Sequence, residues 1–157
     1  MHQKERERDA DFAWNVLDQA PYAVLALSDK DGSPYCIPVS PVVDREYNAI
    51  YMHCAKVGKK LDLLRENPKV CLSAVSKSRS IPKEFEMSFD SAVFTGTIEE
   101  VTDEGEKVKA LLLLGTHYDP TGMSRFEEVL EKYLPATCVL RITPAEITGK
   151  QAKEPGC

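Results

Sequence analysis

Two apolar runs joined by a turn signal are the sequence feature that most restricts how this chain can fold. The runs YAVLALS (22–28) and PYCIPVS (34–40) flank DKDGS (29–33), which contains an Asp-Gly pair. Asp-Gly between strand-like runs is a strong hairpin signal, so we predict a β-hairpin. Pro38 and Pro41 have no backbone N–H to donate, so the second strand is expected at a sheet edge, or with backbone groups free for another partner.

Four further segments have the apolar, β-branched composition of strands. They are NAIYMHCA (48–55), PKVCLSAV (68–75), SAVFTGTIEEV (91–101) and ATCVLRIT (136–143). Gly96, inside the third of them, indicates a bulge or a close backbone approach. Six strands with mostly antiparallel connections predict a mainly β (α+β) fold: a small barrel, closed or partly open, covered by helices.

Helical periodicity predicts the remaining elements. A first helix over 10–20 ends before Pro21, a short second helix covers 57–67, and a third covers about 103–117. One side of this third helix carries Val108, Leu111 and Leu112, and the leucines 111–114 are expected to make core or dimer contacts.

A fourth helix is expected to begin at Ser124, where SRFE supplies a capping box. Its apolar face, expected to make core or dimer contacts, consists of Phe126, Val129, Leu130 and Tyr133.

The length and composition fit one globular domain. With 157 residues, 43% hydrophobic and 29% charged, we expect a single domain over 1–157, with an N-terminal arm (1–9) and a C-terminal tail (151–157). The apolar runs are far shorter than the roughly 18 residues of a membrane-spanning helix. Because the charged N-terminus also lacks a hydrophobic region, we expect a cytoplasmic protein that does not enter membranes.

Charge and cysteine usage argue against two other classes of function. A formal net charge of −5, with basic and acidic residues intermixed, disfavours nucleic-acid binding. The five cysteines include no C-x-x-C pair, so reduced thiols are expected. His117 and Asp119 are too few ligands for a metal site, and no metal is expected.

The third predicted strand has two distinct faces. Alternation places Ile50, Met52 and Cys54 on one side, which is the better core face. Tyr51 and His53 are then expected to face outward, toward a cleft or a partner subunit. Cys54 is expected to be a buried, unreactive thiol.

Three lysines, Lys56, Lys59 and Lys60, follow this strand. The last two fall in the first turn of a predicted helix, just after Gly58. Free backbone N–H groups and the helix dipole favour an anion there, and a glycine allows close approach of a phosphate. A lysine run on a short helix is also commonly a solvated face, and the residues alone leave both interpretations open.

Several longer segments resemble a known family. They are GSPYCIPV, IYMHCAKVGKKLDLLRENPKVCL, AVFTGTIEEV and EKYLPATCVLRITPAEITGK. Together they resemble the pyridoxamine 5'-phosphate oxidase-like flavoproteins of the six-stranded, FMN-binding split-barrel fold. The resemblance is greatest to the branch that includes the nitroimidazole-resistance proteins.

This resemblance implies a homodimer with FMN at its interface. The phosphate would lie on the basic pair, the ring would face backbone groups of residues 37–40, and Ser91 would come from a neighbouring strand. The implied cofactor-binding residues are Ile37, Pro38, Val39, Ser40, His53, Cys54, Lys56, Lys59, Lys60 and Ser91.

The implied activity is reduction of a small organic acceptor, such as a nitroaromatic, by the flavin. His53 would be either a proton donor or substrate contact, or a cofactor neighbour without a chemical task. The sequence has Lys59-Lys60 where the true oxidases have an arginine-lysine pair, and its one tryptophan is Trp14, so oxidation of pyridoxamine phosphate is not expected. The alternative is a non-catalytic protein that binds flavin, haem or a deazaflavin, with His53 as a ligand.

Overall fold

The computed structural model describes residues 4–153. The strands are β1 (Glu7–Arg8), β2 (Ala23–Ser28), β3 (Pro34–Val39), β4 (Val42–Asp44), β5 (Ala49–Ala55), β6 (Lys69–Ile81), β7 (Glu86–Glu100) and β8 (Thr137–Ala152). The α-helices are α1 (Ala10–Gln19), α2 (Lys59–Glu66), α3 (Glu104–Tyr118) and α4 (Phe126–Tyr133).

All strand pairs in the described part of the chain are antiparallel. The strands follow the order β3-β2-β6-β7-β8-β5-β4, and β1 pairs with β8. The six predicted strands are all present, and the short strands β1 and β4 add to them. The prediction of a split barrel with flanking helices is confirmed.

The hairpin of β6 and β7 is longer than its sequence pattern indicates. β6 continues to Ile81 and β7 begins at Glu86, whereas the pattern predicts 68–75 and 91–101. The added residues are largely exposed on both faces of the ribbon, so they lack the alternation that marks a half-buried strand.

The last strand is also longer than predicted. β8 extends past residue 143 to Ala152, where it pairs with Phe89 of β7. Gln151 and Ala152 therefore belong to the sheet and not to a tail, while 154–157 lie outside the described residues.

The hairpin predicted from the Asp-Gly turn is confirmed. Leu25 of β2 pairs with Ile37 of β3, and β3 ends the sheet, as the prolines require. The predicted irregularity at Gly96 is present as a register shift between β7 and β8. A methyl group at Gly96 would collide with the carbonyl oxygen of Thr143, so the close backbone approach requires glycine.

The main core lies between α1, α2 and the inner face of the sheet. The Asp9 side chain caps α1 by accepting from the N–H of Phe12. Trp14 of α1 packs on Phe94 of β7, with ring centroids 4.9 Å apart, and Leu61 of α2 is fully buried. Sequestering these side chains from water is the main stabilising contribution to the fold.

A second, smaller cluster corrects the prediction for Tyr51. Its side chain is not outward-facing but 2% exposed, because α3 covers this side of β5, and it contributes to a small cavity of about 340 Å³ with Glu106 and Arg141. The hydroxyl donates to Glu106 of α3 at 2.8 Å. Alternation separated the two faces of β5 correctly, but it could not show that a helix covers the second one.

The start of α4 differs from its prediction, and α3 buries only part of its apolar side within one chain. α3 buries Ala110 and Leu114, whereas Leu112 is exposed. α4 begins at Phe126 without a side-chain cap, so the predicted capping box at Ser124 is not formed. A 3-10 turn, Pro120–Arg125, precedes α4, and Asp119 caps that turn instead.

Among residues 4–153, no helix has the length and apolarity required to cross a membrane.

Candidate cofactor-binding groove

A groove of about 450 Å³ opens where β3, β5 and the start of α2 meet. Five of its lining residues are among those predicted: Pro38, Val39, Ser40, His53 and Lys60. β3 and β5 lie toward opposite ends of the strand order, yet residues of both line the groove, so the curvature of the sheet brings them together. α2 begins directly after β5. The groove volume lies within the range of about 300–1,000 Å³ that is usual for small-molecule sites.

The N-terminus of α2 is open at this groove. Gly58 has φ of 143°, a conformation that favours glycine, and no atom lies within 4 Å of the position of a Cβ there. No side chain caps α2, and the first intrahelical bond runs from the N–H of Leu61 to the carbonyl of Gly58 at 2.9 Å. The N–H groups of Lys59 and Lys60 precede that bond, so they can donate to an anion.

The three predicted lysines lie in different surroundings. Lys60 lines the groove. The Lys59 ammonium lies 4.5 Å from the centroid of the Tyr35 ring, and Lys59 does not line the groove. Lys56 is exposed in the bend between β5 and α2 and does not line the groove.

His53 is exposed at the rim of the groove, as predicted from strand alternation. Partial desolvation, and then the positive charge of Lys60, lower the pKa of its imidazole. The ring is therefore neutral near pH 7 and can either donate or accept a hydrogen bond.

Cys54 lies on the other face of β5, directly opposite Cys138 of β8. Burial raises the pKa of the Cys54 thiol, although the charge of Lys60 opposes this shift. The pKa of Cys138 is raised further, to about 12, by burial and by the neighbouring Cys54. These thiols are protonated near neutral pH.

Two other predicted residues lie outside the groove. Ile37 is half-buried and packs against the main core. The Ser91 hydroxyl donates to the carbonyl oxygen of Lys150 at 3.4 Å, between β7 and β8. Within a single chain the structure does not bring Ser91 together with the groove.

Three groove residues were not anticipated from the sequence. Met52 and Leu140 form the apolar floor, and Tyr22 forms one wall. Met52 and Leu140 have the sequence signature of ordinary core residues. Tyr22 is 55% exposed, and its position directly before β2 was the one available signal.

An uncovered, partly apolar sheet face adjoins the groove at Tyr22. Val24 of β2 and Val75 of β6 are 37% and 44% exposed on this face. Together with Ser73 and Lys77, Tyr22 also lines a shallow depression of about 370 Å³ there. The groove thus continues onto a surface that is not covered by any helix in the described part of the chain.

Comparison with known proteins agrees with this architecture. The sequence profile of the family described as "Pyridoxamine 5'-phosphate oxidase" matches residues 9–151. A search of curated proteins finds no match.

Solved structures share the fold at low sequence identity. A flavocytochrome from Azotobacter vinelandii has a TM-score of 0.82 and 22% identity, covering 99% of this chain and 73% of that one. An FAD and haem binding protein from Mycobacterium smegmatis has a TM-score of 0.77 and 21% identity, and the match covers 95% of this chain and 74% of that one. A candidate 5-nitroimidazole antibiotic resistance protein from Bacteroides thetaiotaomicron has a TM-score of 0.72 and 22% identity, and the match covers 91% of this chain and 84% of that one.

The profile match includes nearly all of the described sheet, the groove and the start of α2. The chain belongs to the pyridoxamine 5'-phosphate oxidase family.

Proposed function

We propose that this chain is a homodimeric, cytoplasmic FMN-binding protein that reduces a small organic acceptor, nitroaromatic compounds included. One observation carries the proposal: the groove joins the open N-terminus of α2 and Lys60 to the free edge of β3. A phosphate and a flat ring need these two environments side by side.

The phosphate end fits the start of α2. The N–H groups of Lys59 and Lys60 can donate to the phosphate, and the Lys60 ammonium adds a charge-assisted bond. Each such bond contributes about 1.5–3 kcal/mol. A micromolar ligand requires about 8 kcal/mol, so burial of the ring must supply the rest.

The ring end fits the edge of β3. This strand pairs only with β2 in the described residues, so one row of its backbone groups is available to the polar edge of a flavin. Met52 and Leu140 provide an apolar floor beneath it. When bound, FMN supplies the hydride and electron transfer that the side chains of this chain cannot perform.

His53 is the residue of this chain that we assign to the reacting end of the site. Its lowered pKa keeps the imidazole neutral, so it can position a polar acceptor group by donating a hydrogen bond. It can also pass on a proton near neutral pH.

The homodimer is supported by the uncovered sheet face. Val24 and Val75 are exposed next to the groove wall at Tyr22. A second copy packed there would bury these side chains and close the groove from the side that is open in one chain.

FMN titration tests the proposal. The purified protein should carry, or take up, FMN with a flavin absorbance spectrum, and the colour should bleach with a nicotinamide reductant and return with an acceptor. Lys60→Gln should weaken FMN binding by roughly 10–100-fold, the loss of one charge-assisted bond. The matched control, Lys30→Gln, changes an exposed lysine in the β2–β3 turn and should leave the affinity unchanged.

Two results would refute this assignment. One is a protein that does not bind FMN at all. The other is an FMN affinity that is the same in the Lys60→Gln and Lys30→Gln variants. Light scattering with and without FMN tests the dimer separately.

Haem is the second candidate, because His53 also lines a mostly apolar cavity of about 660 Å³ beside α3 and α4, and its imidazole is neutral near pH 7. Neutral imidazole is the form that ligates iron. The absorbance spectrum distinguishes haem from flavin directly.

A further inference from the structure

A second cavity, of about 660 Å³, lies between α3, α4 and the start of β8. We call it the α3–α4 chamber. Leu111 and Leu114 of α3 form one wall, and Phe126 and Leu130 of α4 form the other. Most of its lining is hydrocarbon, and its volume again suits a small-molecule ligand.

The apolar face of α4 is the reason the chamber exists. Phe126, Val129, Leu130 and Tyr133 lie on one side of the helix, yet α4 buries none of its residues. Val129 and Tyr133 remain 43% and 52% exposed. A ligand that covered this face would gain about 25 cal/mol for each Å² of apolar surface removed from water.

The chamber and the groove share two lining residues, Ser40 and His53. A ligand in the chamber would therefore lie beside the molecule in the groove. This continuity distinguishes the chamber from an isolated surface cavity.

Some polar groups that line the chamber already form hydrogen bonds within the chain, and others are free to bond to a ligand. The Thr137 hydroxyl donates to the carbonyl of Tyr133 at 2.9 Å, and that of Tyr118 donates to the carbonyl of Pro41 at 2.7 Å. Asp119 accepts from the N–H of Gly122. Among residues 4–153, the side chains of Ser40 and His53 have no hydrogen-bonding partner.

We propose that the α3–α4 chamber binds the second ligand of this chain, an uncharged ring compound with one hydrogen-bond acceptor. The rings occupy the space between α3 and α4, and the acceptor group takes a hydrogen bond from Ser40 at the junction with the groove. That this ligand is the reaction partner of the flavin depends on the function proposed above. The binding itself does not.

Benzophenone, an uncharged two-ring ketone, is a suitable probe, and diphenylmethane is its counterpart without the carbonyl group. Calorimetry on the full chain should show saturable benzophenone binding at one site per chain. Irradiation should attach the probe to α3 and α4, as located by mass spectrometry.

Two tryptophan variants test whether the rings of benzophenone bind in the chamber. Leu130→Trp fills the chamber and should weaken benzophenone binding at least tenfold. Leu112→Trp is the matched control, because Leu112 is 44% exposed on α3 and does not line the chamber. It should have no effect.

One further variant tests the hydrogen bond to the carbonyl group of benzophenone. Ser40→Ala removes a donor at the junction and should weaken benzophenone binding several-fold without changing the affinity for diphenylmethane. Equal losses for both compounds would refute the assigned hydrogen bond.

Other occupants give different results. A haem Soret band in the purified protein would assign the chamber to haem and overturn the proposal. Loss of probe binding as the chain self-associates would show that a second copy covers the chamber. Attachment outside α3 and α4, or equal effects of the two tryptophan variants, would also overturn it.

FMN titration of the same variants separates the two proposals. If FMN binds to Leu130→Trp as to the unchanged chain, the fold and the groove are intact, and lost probe binding reports on the chamber alone. If FMN binds neither to Leu130→Trp nor to the unchanged chain, the proposed function fails. Benzophenone binding then still tests the chamber.

Discussion

His53 and Lys60 line the same groove, and the pKa of the imidazole is lowered by desolvation and then by the ammonium of Lys60. Two cationic groups beside one another are unfavourable unless an anion separates them. The neutral imidazole relieves this repulsion in the free protein. The arrangement therefore links the protonation of His53 to anion binding at the start of α2.

We predict that the His53 pKa, measured by NMR from its ring proton shifts, lies below the usual 6.5 and rises when inorganic phosphate or FMN binds. Lys60→Gln should raise it in the free protein, whereas Lys30→Gln should not. Because protonation favours the unfolded chain, the stability contribution of His53 is present above pH 6.5 and is lost as the pH falls through the lower, folded value. A pKa unchanged by both Lys60→Gln and phosphate would disprove the link.

The cysteines give a prediction about chemical reactivity. Burial raises the pKa of Cys54, Cys71 and Cys138, whereas Cys36 is exposed. Because the thiolate is the reactive form, Cys36 should be alkylated by iodoacetamide before the other three at pH 8. Peptide mass spectrometry over time gives the order, and unfolding in urea should make the rates similar. Early modification of Cys138 would contradict the observed burial.

Gly96 gives a prediction about stability. A methyl group there would meet the carbonyl of Thr143 and lie 2.9 Å from Cα of Pro144, both backbone atoms that cannot move aside easily. Gly96→Ala should lower the free energy of unfolding by about 1–3 kcal/mol, a typical cost of overpacking. Denaturant unfolding measures the change.

Gly105→Ala is the control for Gly96. Gly105 lies in the first turn of α3, where an added methyl group meets only the Asp103 side chain at 3.2 Å. Alanine is favoured over glycine in helices by up to about 1 kcal/mol, so this variant should be neutral or more stable. Equal destabilisation of both variants would remove the argument from close approach.

Most of the six strands could be identified from the sequence because at least one of their faces is buried, and burial selects apolar residues there. β3, whose residues are exposed or half-buried, was identified from the Asp-Gly turn that precedes it. The outer part of the β6–β7 hairpin has no buried face, so its residues carry no such pattern. Tyr51 shows a second limit. Alternation gives the side of a strand, but only the path of α3 determines whether that side meets solvent.

The candidate site was predictable where it depends on local chemistry. Gly58 and the following lysines mark an open helix N-terminus in sequence, and Lys60 lies in the groove. Lys59 differs by one position, yet the turn of the helix directs it to Tyr35. The floor of the groove depends on contacts between distant strands, which a single sequence does not specify.

The hydrogen bond between Tyr51 and Glu106 supports the last prediction. Burial, and then Glu106, raise the pKa of Tyr51 to about 12, from an ordinary value of 10.0. A raised pKa means that the folded chain holds this proton more tightly. The contribution to stability is therefore present below pH 10 and is lost as the pH rises toward 12.

Tyr51→Phe keeps the buried ring and removes the hydroxyl. Glu106 retains its bond from Arg141 at 2.6 Å, so the cost at neutral pH should be about 0.5–1.5 kcal/mol. Unfolding measured at pH 8 and above pH 10 should show a smaller alkaline loss of stability for Tyr51→Phe than for the unchanged chain. Tyr47→Phe, at a residue that is 64% exposed, should behave as the unchanged chain does. If Tyr51→Phe has the alkaline sensitivity of Tyr47→Phe, the buried hydroxyl is not the group that couples α3 to the sheet.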